Sequence, residues 1–342
     1  MMAERHLVAH LADLGASDAQ ITGLSDSDLI GLAGDLQLAA GLDHDVVDLA
    51  REVGCSIEEA RSVYTRLGLR VEELAGFGDG DIALVSLVTN DTSGIVDQVS
   101  TPLLRVAGTL LARLADAVVA AYVQDVESRI DETVDLVAMA DQNAVASMLS
   151  VQLADSLPTV FRHHMWTAVR RQRQAQFGVQ TPEIVRLAVG FVDLVGFTKH
   201  ASAVSPAELI ATIEAFERRA FETASLHGGR IVKSIGDEVM IAASEASVAA
   251  AIALELISST GDDPSIAPRG GVSAGEVLFR LGDYYGPVVN LASRLATEAV
   301  PGEVLTDQST LHGRGLVVQP AGRRALKGFS EPVAVWSVHS VP

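Results

Sequence analysis

The chain has a single cysteine, Cys55, in 342 residues. No internal disulfide can form, and a reducing cytoplasm fits that usage. No apolar run reaches 18 residues, so no membrane-spanning segment is expected. The opening Met-Met-Ala-Glu-Arg-His has no apolar signal core behind its charges, which points the same way. Aromatic residues are only 4% of the chain, so its cores must be built from Ala, Val and Leu. Positive charge is also short. The formal net charge is −19, and residues 1–165 hold nine arginines and no lysine against 26 acidic residues. Such a surface repels phosphate backbones and argues against a general nucleic-acid or anionic-membrane role. There are three lysines, Lys199, Lys233 and Lys327, so the position of each is worth examining.

What is present divides into a helical half and a mixed half. Apolar residues at helical spacing, with Ser, Asp and Gly at the caps, predict helices over 4–14, 28–38, 43–53, 56–67, 79–88, 101–129 and 131–157. Pro158 is expected to end the last of these. The spacing predicts an all-helical domain at 1–160, a helical connector at 161–184 and an α+β domain at 185–342.

Within the first domain, residues 49–69 resemble a helix-turn-helix around Gly54. One reading makes it a DNA reader through Arg61 and Arg66. The other, favoured by Glu58, Glu59 and the acidic surroundings, makes it a structural helical pair. The apolar pattern at 103–123 suits either core and dimer contact or the wall of a lipid cavity, with core preferred. The connector carries His163 and His164 just before Arg170, Arg171 and Arg173. It is either a solvated helix or a pH-sensitive hinge.

Residues 188–198 are a short β-branched and aromatic run with Asp193 in its middle and a glycine turn at Gly196. Asp193 reads as a turn cap or as a metal ligand. A helix follows to about Leu226, then two strands around Gly236 and Asp237, a helix at 246–259, a strand at 269–279 and a helix at 287–298. Strand–helix–strand–strand–helix–strand is a ferredoxin-like plan. That plan makes the first strand and the central hairpin neighbours and sets Asp193 beside Asp237. Two like charges there call for cations, and oxygen-only ligation suits two divalent ions, Mg²⁺ or Mn²⁺. Asn290 and Arg294, at i and i+4, share a helix face that suits a developing charge on phosphorus.

Four ordered stretches carry a resemblance. They are Phe191-Val-Asp-Leu-Val-Gly-Phe-Thr198, Gly228-Gly-Arg-Ile-Val-Lys-Ser-Ile-Gly-Asp237, Asp283-Tyr-Tyr-Gly-Pro-Val-Val-Asn-Leu-Ala-Ser-Arg294 and Leu326-Lys-Gly-Phe329. Together they resemble the class III nucleotide cyclases over residues 185–340. The resemblance implies two metals held by Asp193, Asp237 and the backbone of Leu194. It implies an adenine read by Lys233 and Asp283, with Asn290 and Arg294 on the transition state. Lys327 and the amides of Gly196, Phe197 and Thr198 would then hold the triphosphate.

It further implies an adenylyl cyclase making 3′,5′-cyclic AMP and pyrophosphate from ATP at sites shared across a homodimer. Lys233 can donate to an adenine ring nitrogen and Asp283 can accept from its exocyclic amine; guanine mismatches both, so guanylyl cyclase is the weaker reading. A nucleotide-binding regulator contacting DNA through 49–69 is the rival from another class. More weakly, the helical half resembles the regulatory domains of soluble actinobacterial cyclases, which implies autoregulation by protons or a lipid-like ligand.

Overall fold

The structure, a computed structural model, describes residues 2–90, 95–125, 135–175, 183–258, 266–313 and 315–341. The chain forms two compact units, Met1–Met165 and Trp166–Pro342.

The first unit is helical. Its elements are α1 (Met2–Asp13), α2 (Asp18–Ile21), α3 (Asp26–Leu38), α4 (Val46–Val53), α5 (Ile57–Leu67), a 3₁₀ turn at Val71–Glu73, α6 (Asp79–Thr89), α7 (Ile95–Asp125) and most of α8 (Leu136–Ala175). Side-chain caps set several starts. Ser25 and Ser56 form capping boxes with Asp28 and Glu59, and Asp45 accepts from two amides at the head of α4.

Two small cores result. Leu7, Leu11, Leu29, Leu32 and Ala140 join α1, α3 and α8. Leu49, Ala60, Val63, Tyr64, Phe77, Val85 and Leu104 join α4 to α7. In the second core Tyr64 donates to Asp81 at 2.6 Å, and the same carboxylate accepts from the Gly78 amide at the head of α6.

Three expectations need correction. Pro158 does not end a helix: α8 runs 40 residues straight through it. Proline removes one backbone bond, and the carbonyl it strands, on Ala154, lies on an exposed turn where water can serve it. Within one chain the apolar pattern of α7 is mostly not packed, since Leu104 is buried while Leu103, Leu110, Leu111, Leu114 and Val119 are exposed. One helix, Leu136–Arg173, is long and apolar enough to cross a membrane by length and composition, where none was expected. The expected helix end at Arg129, the start at Asp131 and the break at Gly178 and Pro182 lie outside the described residues.

The second unit starts in the last turns of α8. It continues with β1 (Ile184–Val195), α9 (Phe197–Ala201), α10 (Pro206–His227), β2 (Arg230–Ile235), β3 (Glu238–Ala243), α11 (Ala246–Ser258), β4 (Ala267–Arg280), β5 (Asp283–Tyr285), α12 (Pro287–Glu298), β6 (Val304–Thr306), β7 (Leu316–Arg324) and β8 (Val333–Ser340). The sheet order is β2-β3-β1-β4-β6-β8-β7, with β5 paired to β4. Its first four strands are antiparallel with β1 between β3 and β4, the ferredoxin-like arrangement.

Alternation along β1 fills both faces. Ala188, Val192 and Leu194 pack with α10 and α11, while Val185, Val189 and Phe191 pack on the other face with α12. A β-carbon at Gly271 would overlap the backbone of Ala292 and Ala296, so only glycine lets α12 lie this close to β4.

Candidate active site

Strand register brings three charged side chains into one row. Asp193 lies opposite Glu238 of β3 on one side and opposite Arg269 of β4 on the other. All three are on the α12 face, because Phe191 and Met240, two residues along, are buried there. Arg269 donates from Nε at 3.1 Å and from a terminal nitrogen at 3.0 Å, both to Oδ2 of Asp193. Its other terminal nitrogen donates to the carbonyls of Thr297 and Ala299. Arg269 therefore ties Asp193 to the C-terminal end of α12. Among the described residues, Oδ1 of Asp193 has no donor and stays open.

Asp237 occupies the hairpin turn after Gly236, whose φ of +65° favours glycine. The Asp237 carbonyl accepts from the Leu194 amide at 3.2 Å, which pins the turn to the end of β1. Burial pushes the Asp237 carboxyl up, and the charge of Asp193 adds to it. Glu238 is pushed up to about 7, by burial first, then by Asp193 and Asp237. Crowded carboxylates of this kind call for a cation. Carboxylates and backbone carbonyls offer oxygen alone, which fits Mg²⁺ or Mn²⁺ better than softer metals. Among the described residues, no three His, Cys, Asp or Glu side chains form a metal cage by themselves. A bound ion would complete its shell from backbone, water or substrate, as Mg²⁺ commonly does.

The other residues singled out fall into four places. Lys233 follows a bulge in β2 and Asp283 opens β5; Nζ of Lys233 donates to Oδ2 of Asp283 at 2.5 Å. Oδ1 of Asp283 accepts from the Tyr284 amide at 2.8 Å, which fixes the carboxylate plane. Asn290 and Arg294 lie one turn apart on α12, whose inner face is Ala292, Leu295 and Ala296. Neither has a side-chain partner among the described residues. Lys327 is exposed, but Leu326 before it is 3% exposed and packs with Leu295 and Ala299, anchoring its turn beneath α12. Gly196, at φ +87°, turns the chain from β1 into α9. The cap residue is glycine and carries no side chain, and among the described residues no side chain accepts from the amides of Gly196, Phe197 and Thr198.

His163 and His164 lie on exposed turns of α8 in the helical unit. Arg61, offered as a DNA contact, pairs with Glu72 at 2.9 Å. Two residues of the carboxylate row, Glu238 and Arg269, escaped the sequence reading. Glu238 directly follows Asp237, and Arg269 heads the Arg-Gly-Gly run of β4. Only the register makes either a neighbour of Asp193.

Comparison with known proteins points to one family. Residues 179–339 match the family model described as the adenylate and guanylate cyclase catalytic domain. An uncharacterised protein of Mycobacterium tuberculosis is 30% identical over 348 residues, covering 98% of this chain and 90% of its own. A Streptomyces coelicolor protein named adenylate cyclase is 32% identical over 264 residues, 75% of this chain and 68% of its own. A Mycobacterium tuberculosis protein named pH-sensitive adenylate cyclase is 29% identical over 204 residues, 57% of this chain and 51% of its own. With its ferredoxin-like sheet, a catalytic-domain model matched over residues 179–339 and a relative named adenylate cyclase at 32% identity, the chain belongs to the class III family of adenylate and guanylate cyclases.

Proposed function

We propose that the protein is an adenylyl cyclase, converting ATP to 3′,5′-cyclic AMP and pyrophosphate at two equivalent sites of a homodimer. The observation that carries the choice of base is the Lys233–Asp283 pair, at 2.5 Å. Without substrate the two neutralise each other. With adenine between them, the ammonium donates to a ring nitrogen and the carboxylate accepts from the exocyclic amine, so both keep a partner. Guanine offers a carbonyl and a protonated ring nitrogen at those positions, and leaves both groups mismatched.

The ribose 3′-oxygen attacks the α-phosphorus in line, the 3′-hydroxyl proton is lost, and the bond to the bridging oxygen of pyrophosphate breaks. Bound divalent ions would acidify the 3′-hydroxyl and neutralise phosphate charge. Asp193, through the oxygen that Arg269 leaves open, Asp237 and the Leu194 backbone would hold them. Arg294 and Asn290 donate to the α-phosphate oxygens as charge develops. Lys327 and the amides of Gly196, Phe197 and Thr198 take the β- and γ-phosphates. Support for a dimer comes from economy: each chain holds one set of metal-binding and one set of base-reading residues, and in the resembling family these come from opposite subunits.

The helical unit acts as a regulator of the catalytic unit. The relative named pH-sensitive adenylate cyclase supports a proton as input, and His163 and His164 are the groups we assign to sense it; a lipid-like ligand is the other input the helical half suits. The single cysteine supports a reducing cytoplasmic setting.

The test is cyclic AMP release by the purified chain with ATP and Mn²⁺, beside Asp193→Ala and Asp237→Ala. Turnover in the parent and a loss of about 100-fold or more in each variant are expected. Undiminished turnover in either variant would refute the metal assignment. A pH–activity curve for a His163→Gln, His164→Gln double variant that superimposes on the parent's would remove proton sensing from that pair.

A further inference from the structure

A second concave site lies on the same unit, away from the carboxylate row. It is a cavity of about 620 Å³ between the last turns of α8 and the sheet. Val185 and Leu187 of β1, with Phe279 and Tyr284, give it an apolar floor. The two rings stand 5.2 Å apart at 40°. Arg171 of α8 and Arg230 at the head of β2 enter from the walls, beside Gln172 and Ser225. Arg230 is held in place. It donates to the Tyr284 hydroxyl at 2.9 Å, and its guanidinium lies 5.3 Å from that ring's centroid. Lys233 and Asp283 do not line the cavity.

Two neighbouring arginines share this cavity. The chain has 44 acidic residues against 25 basic ones. Arg51, Arg61, Arg70 and Arg269 each meet a carboxylate. Arg171 and Arg230 meet none among the described residues, although they are close enough to repel. Burial first, and then the charge of Arg230, hold the Arg171 guanidinium below its usual range. Two guanidiniums above an apolar floor form the complement of one ligand class. Arginine pairs make forked, charge-assisted bonds to carboxylate or phosphate, and an aromatic floor takes a flat body. The volume suits a small molecule.

The geometry points to a binding site for a small organic anion with a flat apolar body, its charged head between Arg171 and Arg230 and its body against Val185, Leu187 and Phe279. The head is a carboxylate or a phosphate ester, and it bridges the end of α8 to the sheet. The site serves a ligand other than the nucleotide substrate, since the base-reading pair is outside it.

Calorimetric titration of the full chain with 2-naphthoate, with 2-naphthyl phosphate and with uncharged 2-naphthamide tests this. One saturable site per chain is expected for at least one anion, and the tighter of the two identifies the head group. The amide should bind about tenfold more weakly or worse, and Arg171→Gln or Arg230→Gln should each weaken the anion by about tenfold or more. Ser225→Trp, at an exposed rim position, should block the cavity. Lys233→Ala should leave the affinity unchanged, separating this site from the nucleotide's. No saturable binding to the folded parent would overturn the proposal. So would parent-like affinity in a folded arginine variant. Should an arginine variant fail to fold, parent-like affinity in Ser225→Trp overturns it equally.

Discussion

At the residue level, one carboxylate, that of Asp193, is shared between an arginine and an open face. Arg269 places two nitrogens on one oxygen of Asp193 and leaves the other open. On the proposed reading it is a positioning residue, holding Asp193 so that its second oxygen is open to a cation. Arg269→Gln should raise the Mg²⁺ concentration needed for half-maximal activity by about tenfold or more, the size of effect typical of residues that orient metal ligands. Mg²⁺ affinity of the non-turning protein, read by calorimetry, should weaken in parallel; unchanged metal affinity would assign Arg269 to packing alone.

Glu238 makes a different prediction. Its folded pKa, about 7, lies above the ordinary 4.5. The folded state therefore holds a proton that the unfolded state has lost. That stabilising contribution is complete below about 4.5 and disappears as pH rises through about 7. In chelator-treated protein, Glu238→Gln should gain about 1–2 kcal/mol over the parent at pH 8, a figure discounted for partial exposure. The gain should vanish near pH 4.5; urea unfolding at both pH values measures it. Asp193 and Asp237 could be singled out from residue type, expected strand order and the family resemblance. Glu238 and Arg269 could not, because their role depends on which residues face each other across strands, and a chain read alone does not fix register.

Among the elements, α12 matters most, because it carries Asn290 and Arg294 and accepts Arg269 at its end. Its seat depends on Gly271, where a β-carbon would collide with backbone, which cannot turn aside as a side chain can. Gly271→Ala should cost about 1–3 kcal/mol and lower turnover well beyond that loss of folded protein, since α12 must move. A melt and an activity assay on the same sample separate the two effects. In the helical unit, Tyr64→Phe should cost about 1–2 kcal/mol, because the partly buried Asp81 loses a donor. Helix starts were legible where a serine caps them, as at Ser25 and Ser56, but not at α4, whose cap Asp45 fell inside the expected helix. The path of α8 was not. Local chemistry makes Pro158 a stop, but an exposed turn can tolerate the lost bond. Periodicity in α7 was equally ambiguous, since an apolar stripe reads the same whether packed or bare.

For the molecule as a whole, the ferredoxin-like order was readable because strand and helix periods alternate clearly after residue 185. The proposed division of labour between two copies was not readable from any one residue. It comes from the resemblance, which puts Asp193 and Asp237 in one half-site and Lys233, Asp283, Asn290 and Arg294 in the other. The most direct measurement is complementation. Asp237→Ala and Arg294→Ala chains, each inactive alone, are unfolded together, refolded as an equal mixture and assayed for cyclic AMP from ATP with Mn²⁺. Half the dimers should be mixed, each with one intact site of two, so about a quarter of parental turnover should return. Cyclic AMP formation no greater than the sum of the two variants alone, in a mixture shown to contain the mixed dimer, would contradict a site shared between chains.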